Sequence, residues 1–169
     1  DRGYIVVMQH PVTNEFEAAR DQITETLRAV YSSDLPAYWM WPNPDAGADG
    51  TSTGIRHFRE SNRVPQIHWF KTLEPEDFLR LLYNSTCIVG NSSVAIRECS
   101  YLGVPAINIG TRQIGRECGR NVTHVGHNAE EIVEAIKTHP SQHFRESSSL
   151  YGDGHAGQRI ATLLATCDL

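Results

Sequence analysis

The sequence predicts an α/β fold in which helices cover both faces of a doubly wound, mostly parallel sheet, giving three layers. Short continuous apolar runs, typical of parallel strands buried on both faces, alternate with segments whose apolar residues recur at helical spacing. Each of the first five runs is followed by polar residues or glycine, as expected where parallel strands end at one edge of a sheet.

Six apolar runs are the predicted strands. They are residues 4–8, 37–41, 66–70, 86–89, 106–109 and 122–125. Runs this short suit strands better than helices, which need more residues to repeat an apolar face.

Helical patterns fill the intervals between the strands. Asn14, with Glu17 three residues later, suits the start of a first helix. The apolar face of that helix repeats at Phe16, Ala19, Ile23, Leu27 and Val30. Pro75 suits the first turn of another helix, whose buried face is predicted to be Phe78, Leu79, Leu81 and Leu82. Further helices are predicted over residues 51–61, 94–102, 129–137 and 156–166, with Gly103 ending the second of these.

The composition fits a single domain over residues 1–169 and argues against several partners. There are 15 Lys and Arg against 20 Asp and Glu, so the net charge of −5 argues against nucleic acid or an anionic membrane surface. No run approaches the roughly 20 apolar residues of a membrane helix. The four cysteines form no C-x-x-C pair, so we expect reduced thiols in a cytoplasmic protein. The chain enters a strand almost at once and without a start methionine, so we expect a piece of a longer chain.

Familiar chemical motifs are absent from the sequence. There is no G-x-G-x-x-G of dinucleotide-binding proteins and no G-x-x-x-x-G-K-[ST] of P-loop proteins. The G-x-S-x-G of serine hydrolases and the H-E-x-x-H of zinc enzymes are also missing. We therefore expect neither a metal nor a cofactor.

The segments that follow the strands contain the candidate binding residues, because ligands of such sheets bind beyond the carboxyl ends of the strands. These segments are residues 9–11, 42–43, 71–73, 90–93 and 110–112. At this stage each polar residue in them has both a structural and a functional interpretation.

Ser92 and Ser93 suit a helix cap, and they suit equally a diphosphate contact at a helix start. His10 suits a packed strand end, a phosphate donor or a proton carrier, since the pKa of histidine lies near neutrality. Glu98 suits a solvated charge or a carboxylate that accepts two ribose hydroxyls. Arg112 suits a surface charge or a local cation for an anionic ligand.

Five motifs taken together resemble the C-terminal half of UDP-N-acetylglucosamine 2-epimerases. In order along the chain they are QHPVT, WPNPDAG, GNSS…RE, LGVPAINIGTRQIGRE and YGDGHAGQRI. The hydrolysing form, which supplies sialic-acid-type sugar synthesis, is the closer match, because QHPVT replaces an arginine-rich stretch. The resemblance implies a Rossmann-like domain, the second of a glycosyltransferase-B arrangement, with the N-terminal domain absent from this chain.

The resemblance also implies how the domain binds UDP. His10 matches a histidine that approaches the diphosphate and takes part in catalysis. Ser92 and Ser93 match a pair of serines that bind the diphosphate. Glu98 matches the carboxylate that holds the ribose hydroxyls.

Three further positions match the nucleotide site of the family. Asn43 and Arg112 match an asparagine and an arginine at that site, and Leu73 falls where a backbone contact to uracil is expected. Val94 departs from the pattern, because many members have a small residue there and a β-branched side chain restricts the backbone.

The implied reaction eliminates UDP from UDP-N-acetylglucosamine and hydrates the glucal to N-acetylmannosamine. The acid and base carboxylates belong mainly to the absent domain, so we expect this chain alone to fold but not to turn over substrate. The full-length protein is expected to be a homo-oligomer. Three alternatives are a non-hydrolysing epimerase, a UDP-sugar glycosyltransferase of the same fold and a non-catalytic nucleotide-sugar binding module.

Overall fold

A single parallel sheet organises the chain. The computed structural model describes residues 3–142 and 146–167, with backbone only for residues 139–142. The strands are β1 (Ile5–Met8), β2 (Ala37–Met40), β3 (Ile67–Phe70), β4 (Cys87–Gly90), β5 (Ala106–Ile109) and β6 (Val122–Val125). Their order in the sheet is β3-β2-β1-β4-β5-β6, and every neighbouring pair is parallel.

Helices connect the strands and cover the sheet. They are α1 (Ala19–Ser32), α2 (Ala48–Ser61), α3 (Pro75–Tyr83), α4 (Glu98–Leu102), α5 (Ala129–Gln142) and α6 (Ala156–Thr166). Short 3-10 segments precede α1 at Thr13–Ala18 and α4 at Ser93–Ala95. The predicted α/β fold, Rossmann-like with a parallel sheet, is confirmed.

The two faces of the sheet carry separate apolar cores. Ile5 and Val7 of β1 face the layer that contains α1 and α5, and they are fully buried. Val6, between them, faces the opposite layer, where it packs with Leu82 of α3 and Cys99 of α4. Successive strand residues point to opposite faces, so a strand buried on both sides is apolar throughout. This is the physical origin of the continuous runs in the sequence.

The strand order places the first and fourth strands side by side at the centre of the sheet. From β1 the chain winds outward to β3, and then returns to β4 and winds the other way to β6. The segments leaving β1 and β4 therefore diverge at their carboxyl ends, the usual binding position in such sheets. We call this position the switch point.

Several local predictions are confirmed. Pro75 occupies the first turn of α3, where its missing N–H has no helical partner to lose. Gly103 ends α4 in the left-handed conformation, with φ 66°. All four cysteines are free thiols, and burial raises the pKa of Cys87 to about 12, so this thiol stays protonated.

The start of the first helix is predicted wrongly. A 3-10 segment begins after Val12, and no side chain caps it, so Asn14 is not the predicted cap. Glu15 has non-helical dihedral angles, and Phe16 is 53% exposed rather than inward. The capping pattern is local, whereas Glu15 is held by Thr111 from across the sheet edge, a contact that sequence spacing does not contain.

Two further helices differ from their predicted form. α2 begins at Ala48, before the predicted start at residue 51. The predicted helix over residues 94–102 is interrupted, because Ile96 and Arg97 form a turn between the 3-10 segment and α4. On α3, Leu82 is fully buried, as predicted, but Leu79 is 41% exposed.

Residues 151–167, which include α6, are exposed along their whole length. Ile160, Leu163 and Leu164 lie on this helix with more than half of their surface open. Among the described residues, none of the helices is both long and apolar enough to cross a membrane.

Candidate functional site

His10 lies just beyond the end of β1 and is almost fully buried, at 4% exposure. Its ring nitrogen Nδ1 accepts a hydrogen bond of 3.1 Å from the backbone N–H of Asn43, which follows β2. An accepting Nδ1 carries no proton, so the neutral ring carries its proton on Nε2. His10 is therefore held as a hydrogen-bond donor through Nε2.

The protonation of His10 differs from the prediction made from its sequence position. The pKa of the imidazole is lowered to about 4, chiefly by burial and also by the positive charge of Arg112, while Asp45 opposes the shift. The expected pKa near neutrality is thus wrong for the unliganded domain. A neutral imidazole donates a hydrogen bond at pH 7 but holds no second proton to transfer.

Asn91, the residue after β4, connects the two sides of the switch point. Its side-chain oxygen accepts a hydrogen bond of 2.7 Å from the backbone N–H of His10, and its side-chain nitrogen donates one of 2.8 Å to the carbonyl of His10. Its own N–H donates to the carbonyl of Met8 at 3.2 Å. Asn91 is fully buried, so these bonds lie away from water.

Gly90 makes this close approach of the two strands possible. Its φ is 139°, a left-handed value that disfavours any side chain. A Cβ at this position would lie 2.2 Å from the carbonyl oxygen of Met8. The glycine that ends β4 is therefore required by the packing of backbone against backbone.

Arg112 approaches the same point from the segment after β5. Its Nη1 donates to the carbonyl of Asn91 at 3.3 Å, and its Nη2 lies 3.7 Å from a carboxylate oxygen of Asp45. The Arg112 side chain is 29% exposed, so part of the guanidinium still faces solvent. A positive group thus stands beside His10 in a chain whose net charge is −5.

Gln113, the residue after Arg112, also bonds to Asn91. It is 2% exposed, and its side-chain nitrogen donates to the carbonyl of Asn91 at 2.7 Å. We call His10, Asn43, Asn91, Arg112 and Gln113 the switch-point cluster. Sequence reasoning did not assign Asn91 and Gln113 to the site. The position of Asn91 after a strand-ending glycine was a usable signal, whereas nothing in the sequence marks Gln113 as buried.

A second connection ties the segments after β1 and β5 together. The hydroxyl of Thr111 donates to one oxygen of Glu15, and Gln22 of α1 donates to the other oxygen at 2.6 Å. The Thr111 hydrogen bond is the main reason why the pKa of Glu15 is lowered. Glu15 was predicted only as part of a helix start, and here it fixes the position of the loop that carries Arg112.

Ser92 and Ser93 begin the 3-10 segment after Asn91. Ser92 is its N-cap, and its hydroxyl accepts a long hydrogen bond of 3.4 Å from the N–H of Val94. The expected N-terminus of a long helix is absent here, so a large helix dipole does not act at this point. Val94 lies in the 3-10 segment, and its side chain packs on the core beneath the sheet. The core thus accommodates its β-branched side chain.

Glu98 begins α4 and borders a separate cavity of about 530 Å³. We call this cavity the Glu98 groove, and its walls include Leu79, Arg97, Tyr101, Leu102, Tyr151 and Gly157. One carboxylate oxygen of Glu98 is buried and has no hydrogen-bond partner among the described residues. A buried carboxylate oxygen without a partner is costly, so it points to a function.

The remaining predicted residues lie at different distances from the cluster. The side chain of Asn43 is exposed, while its backbone N–H holds His10. Leu73 follows β3, the strand at the edge of the sheet, so β2 separates it from the switch point. The described contacts do not bring Leu73 to the cluster. No group of three or more His, Cys, Asp or Glu side chains suited to a metal ion occurs within the described parts of the chain.

Comparison with known proteins identifies the relatives of this chain. A UDP-N-acetylglucosamine 2-epimerase of Neisseria meningitidis serogroup B is 30% identical over 135 residues, which cover 80% of this chain and 35% of that protein. A hydrolysing UDP-N,N′-diacetylbacillosamine 2-epimerase of Legionella pneumophila is 27% identical over 169 residues, covering 100% of this chain and 44% of that protein. The chain thus spans less than half the length of these relatives.

A solved structure shows the same fold. The UDP-GlcNAc 2-epimerase of Methanocaldococcus jannaschii, crystallised with UDP-GlcNAc and UDP, aligns with a TM-score of 0.72 at 18% identity. The alignment covers 97% of this chain and 45% of that one. The family model described as UDP-N-acetylglucosamine 2-epimerase matches residues 1–165. The chain therefore belongs to the UDP-N-acetylglucosamine 2-epimerase family.

Proposed function

We propose that this chain is the UDP-binding, C-terminal domain of a hydrolysing UDP-N-acetylglucosamine 2-epimerase. The observation that carries the proposal is the switch-point cluster, which holds a neutral histidine and a partly exposed arginine near the carboxyl ends of β1 and β4, next to the serine pair that follows Asn91. Hydrogen-bond donors and a cation converging at a switch point suit an anionic ligand such as a diphosphate.

In this proposal the donors act on the leaving diphosphate. Nε2–H of His10, the guanidinium of Arg112 and the hydroxyls of Ser92 and Ser93 stabilise the negative charge that grows on UDP as it departs. The side chain of Asn43 reaches the nucleotide from the exposed side, and Leu73 offers a backbone group to the base. Glu98 accepts hydrogen bonds from the ribose hydroxyls through its unpartnered oxygen.

The proposed reaction has two balanced steps. A base removes the proton at sugar C2 while the C1–O bond to UDP breaks, which leaves a C1–C2 double bond in 2-acetamidoglucal. Water then adds a hydroxyl to C1 and a proton to the opposite face of C2, giving N-acetylmannosamine. We assign the base to the N-terminal domain of the full-length protein, so this chain alone is expected to bind UDP without turnover.

The role of the serines is tested by titrating UDP into this chain in a calorimeter. We expect binding by the wild-type chain, and a loss of about tenfold in affinity when Ser92→Ala and Ser93→Ala are combined, because two hydroxyl donors are lost. Equal affinity of the double mutant and the wild type would mean that these serines serve only the backbone. An absence of UDP binding by the wild-type chain would overturn the proposal itself.

The reaction type is tested with the full-length protein and UDP-N-acetylglucosamine, without an acceptor sugar. The hydrolysing epimerase gives UDP and free N-acetylmannosamine, whereas the non-hydrolysing type gives UDP-N-acetylmannosamine. A glycosyltransferase gives neither epimer, and a binding module leaves the substrate unchanged. The motif QHPVT and the hydrolysing relative from Legionella support the first outcome. We place the full-length protein in the cytoplasm as a homo-oligomer, which fractionation and light scattering test.

A further inference from the structure

Asn91 hydrogen-bonds to the backbone after β1 and also to two side chains from the loop after β5. Its side chain hydrogen-bonds to the backbone N–H and carbonyl of His10, and its backbone carbonyl accepts hydrogen bonds from the side chains of Gln113 and Arg112. Two groups that the proposed function places on the diphosphate, His10 and Arg112, are thus connected through one buried residue.

The hydrogen bonds of Asn91 extend the pairing of β1 and β4 beyond the sheet. Regular pairing ends with Met8 beside Gly90. One residue further, the carboxamide of Asn91 accepts from the N–H of His10 and donates to its carbonyl, as a neighbouring strand would do. This fixes the backbone of His10, from which its ring reaches the N–H of Asn43.

The carbonyl of Asn91 fixes the other side of the crevice. Gln113 donates to it at 2.7 Å from a fully enclosed position, and Arg112 donates at 3.3 Å. The two donors are adjacent in sequence, so holding Gln113 also limits where the Arg112 guanidinium can go. A carbonyl with two lone pairs can accept both bonds at once.

We infer that Asn91, supported by Gln113, is a positioning residue that sets the separation of His10 and Arg112 for a diphosphate, an inference that rests on the proposed function. Both side chains are almost fully buried, and their carboxamides bond to His10 and to the Asn91 carbonyl, so we place neither on the ligand. Pre-arranging the donors reduces the ordering that the ligand must otherwise impose.

A control variant is available at Asn62, which follows α2. Its side-chain nitrogen donates to the backbone carbonyl of Phe58 at 3.0 Å. Because α2 leads from the carboxyl end of β2 to the start of β3, Asn62 lies at the edge of the sheet opposite to the switch point. Asn91→Ala and Asn62→Ala both remove an asparagine that bonds to the backbone, of which Asn91 alone belongs to the proposed diphosphate site.

The test measures the affinity of this chain for UDP and for uridine, which lacks the diphosphate. We expect Asn91→Ala to weaken UDP binding by about tenfold or more and uridine binding by less than about twofold. Asn62→Ala should leave both affinities within about twofold of the wild type, since it is remote from the cluster. Equal losses of UDP and uridine affinity in Asn91→Ala would show a general structural role and overturn the inference.

A second measurement does not depend on nucleotide binding. Ring ¹⁵N NMR shifts report the tautomer of His10, which we expect to be fixed with the proton on Nε2 in the wild type and in Asn62→Ala. In Asn91→Ala we expect a mixture of tautomers, because the ring loses its fixed distance to Asn43. An unchanged tautomer in Asn91→Ala would overturn the inference. This result is independent of whether the wild-type chain binds UDP, which tests the proposed function.

If Asn91→Ala does not fold, Gln113→Leu replaces it. Leucine fills a similar volume but removes the donor to the Asn91 carbonyl, so the same split between UDP and uridine is expected at about threefold to tenfold. Gln113→Glu keeps the shape and loses the same donor, and it should not restore UDP affinity. Wild-type UDP affinity in Gln113→Leu would contradict the inference.

Discussion

The switch-point cluster and the Glu98 groove, two parts of one proposed site, are built in opposite ways. In the cluster, His10, Asn91 and Arg112 are tied to one another and to the backbone before any ligand arrives. In the groove, a buried oxygen of Glu98 has no partner among the described residues, and Tyr101 and Leu79 remain largely exposed.

The cluster is preorganised, whereas the groove contains an acceptor that lacks a hydrogen bond. Because the donors of the cluster are already fixed, little conformational entropy is lost when an anion binds, and their hydrogen bonds contribute almost fully to the binding free energy. An unpartnered buried carboxylate oxygen instead destabilises the free domain, and a ligand hydroxyl that satisfies it recovers that cost. Substitutions in the cluster should therefore lower both the stability of the chain and its affinity for the ligand. Substitutions at Glu98 in the groove should raise the stability and lower the affinity.

The largest effect is expected from Gly90→Ala, which strikes the backbone on which the cluster depends. The new Cβ would meet the Met8 carbonyl at 2.2 Å in a left-handed conformation, so we expect a loss of about 2–5 kcal/mol in the free energy of unfolding. Urea denaturation measures it.

The control for Gly90→Ala lies beside the groove. Gly157, in α6, has open space around its Cβ position, so Gly157→Ala should stabilise the chain by about 0.5–1 kcal/mol. Equal effects of the two substitutions would contradict the packing argument for Gly90.

The next effect is an acid sensitivity that originates in the cluster. Folding lowers the pKa of His10 from 6.5 to about 4, so between these pH values the unfolded chain binds a proton that the folded chain does not. The contribution of His10 to the free energy of unfolding is fully present above about pH 6.5. The free energy of unfolding should fall by roughly 2–4 kcal/mol as the pH drops to 4. Urea denaturation at a series of pH values measures this dependence.

A matched pair of variants isolates the contribution of His10. His10→Asn retains an acceptor for the Asn43 N–H but does not titrate, so its unfolding free energy should vary much less between pH 6.5 and 4. His57→Asn, at an exposed position on α2, should keep the wild-type dependence. An undiminished pH dependence in His10→Asn would place its source elsewhere.

Binding of UDP should be weakened next by Arg112→Ala. A hydrogen bond to a charged group contributes about 1.5–3 kcal/mol, so we expect a loss of roughly 10- to 100-fold in UDP affinity by calorimetry. Arg116→Ala, an exposed arginine of the same loop, is the control and should change the affinity far less. Similar losses in both variants would indicate a diffuse positive surface instead of a directed contact.

The smallest stability effect, and the one of opposite sign, is expected from Glu98→Gln. Replacing a carboxylate that has one buried, unpartnered oxygen should stabilise the free chain by about 0.5–1.5 kcal/mol, measured by urea denaturation. The same variant should lose the preference for UDP over 2′-deoxy-UDP, because the neutral amide is a weaker acceptor for ribose hydroxyls. A less stable Glu98→Gln chain would contradict the contrast between groove and cluster.

The structure brings some of the predicted site residues together and joins them to residues that the sequence did not single out. His10, Asn43 and Arg112 come together because the carboxyl ends of parallel strands share one edge, which the sequence pattern implies. Asn91 and Gln113 were missed as site residues, because their roles depend on contacts between segments more than twenty residues apart. The interruption at Arg97 was also missed, since the apolar spacing of residues 94–102 is helical throughout.

The sequence by itself determined the alternating strands and helices, the family and the segments that carry the candidate residues. These follow from side-chain periodicity, turn residues and ordered motifs, all of which are local. Only the tertiary structure decided that β1 and β4 are neighbours, that His10 is neutral, and that Glu98 opens into a separate groove. Strand order, burial and electrostatic environment arise from contacts between distant segments, so no local pattern contains them.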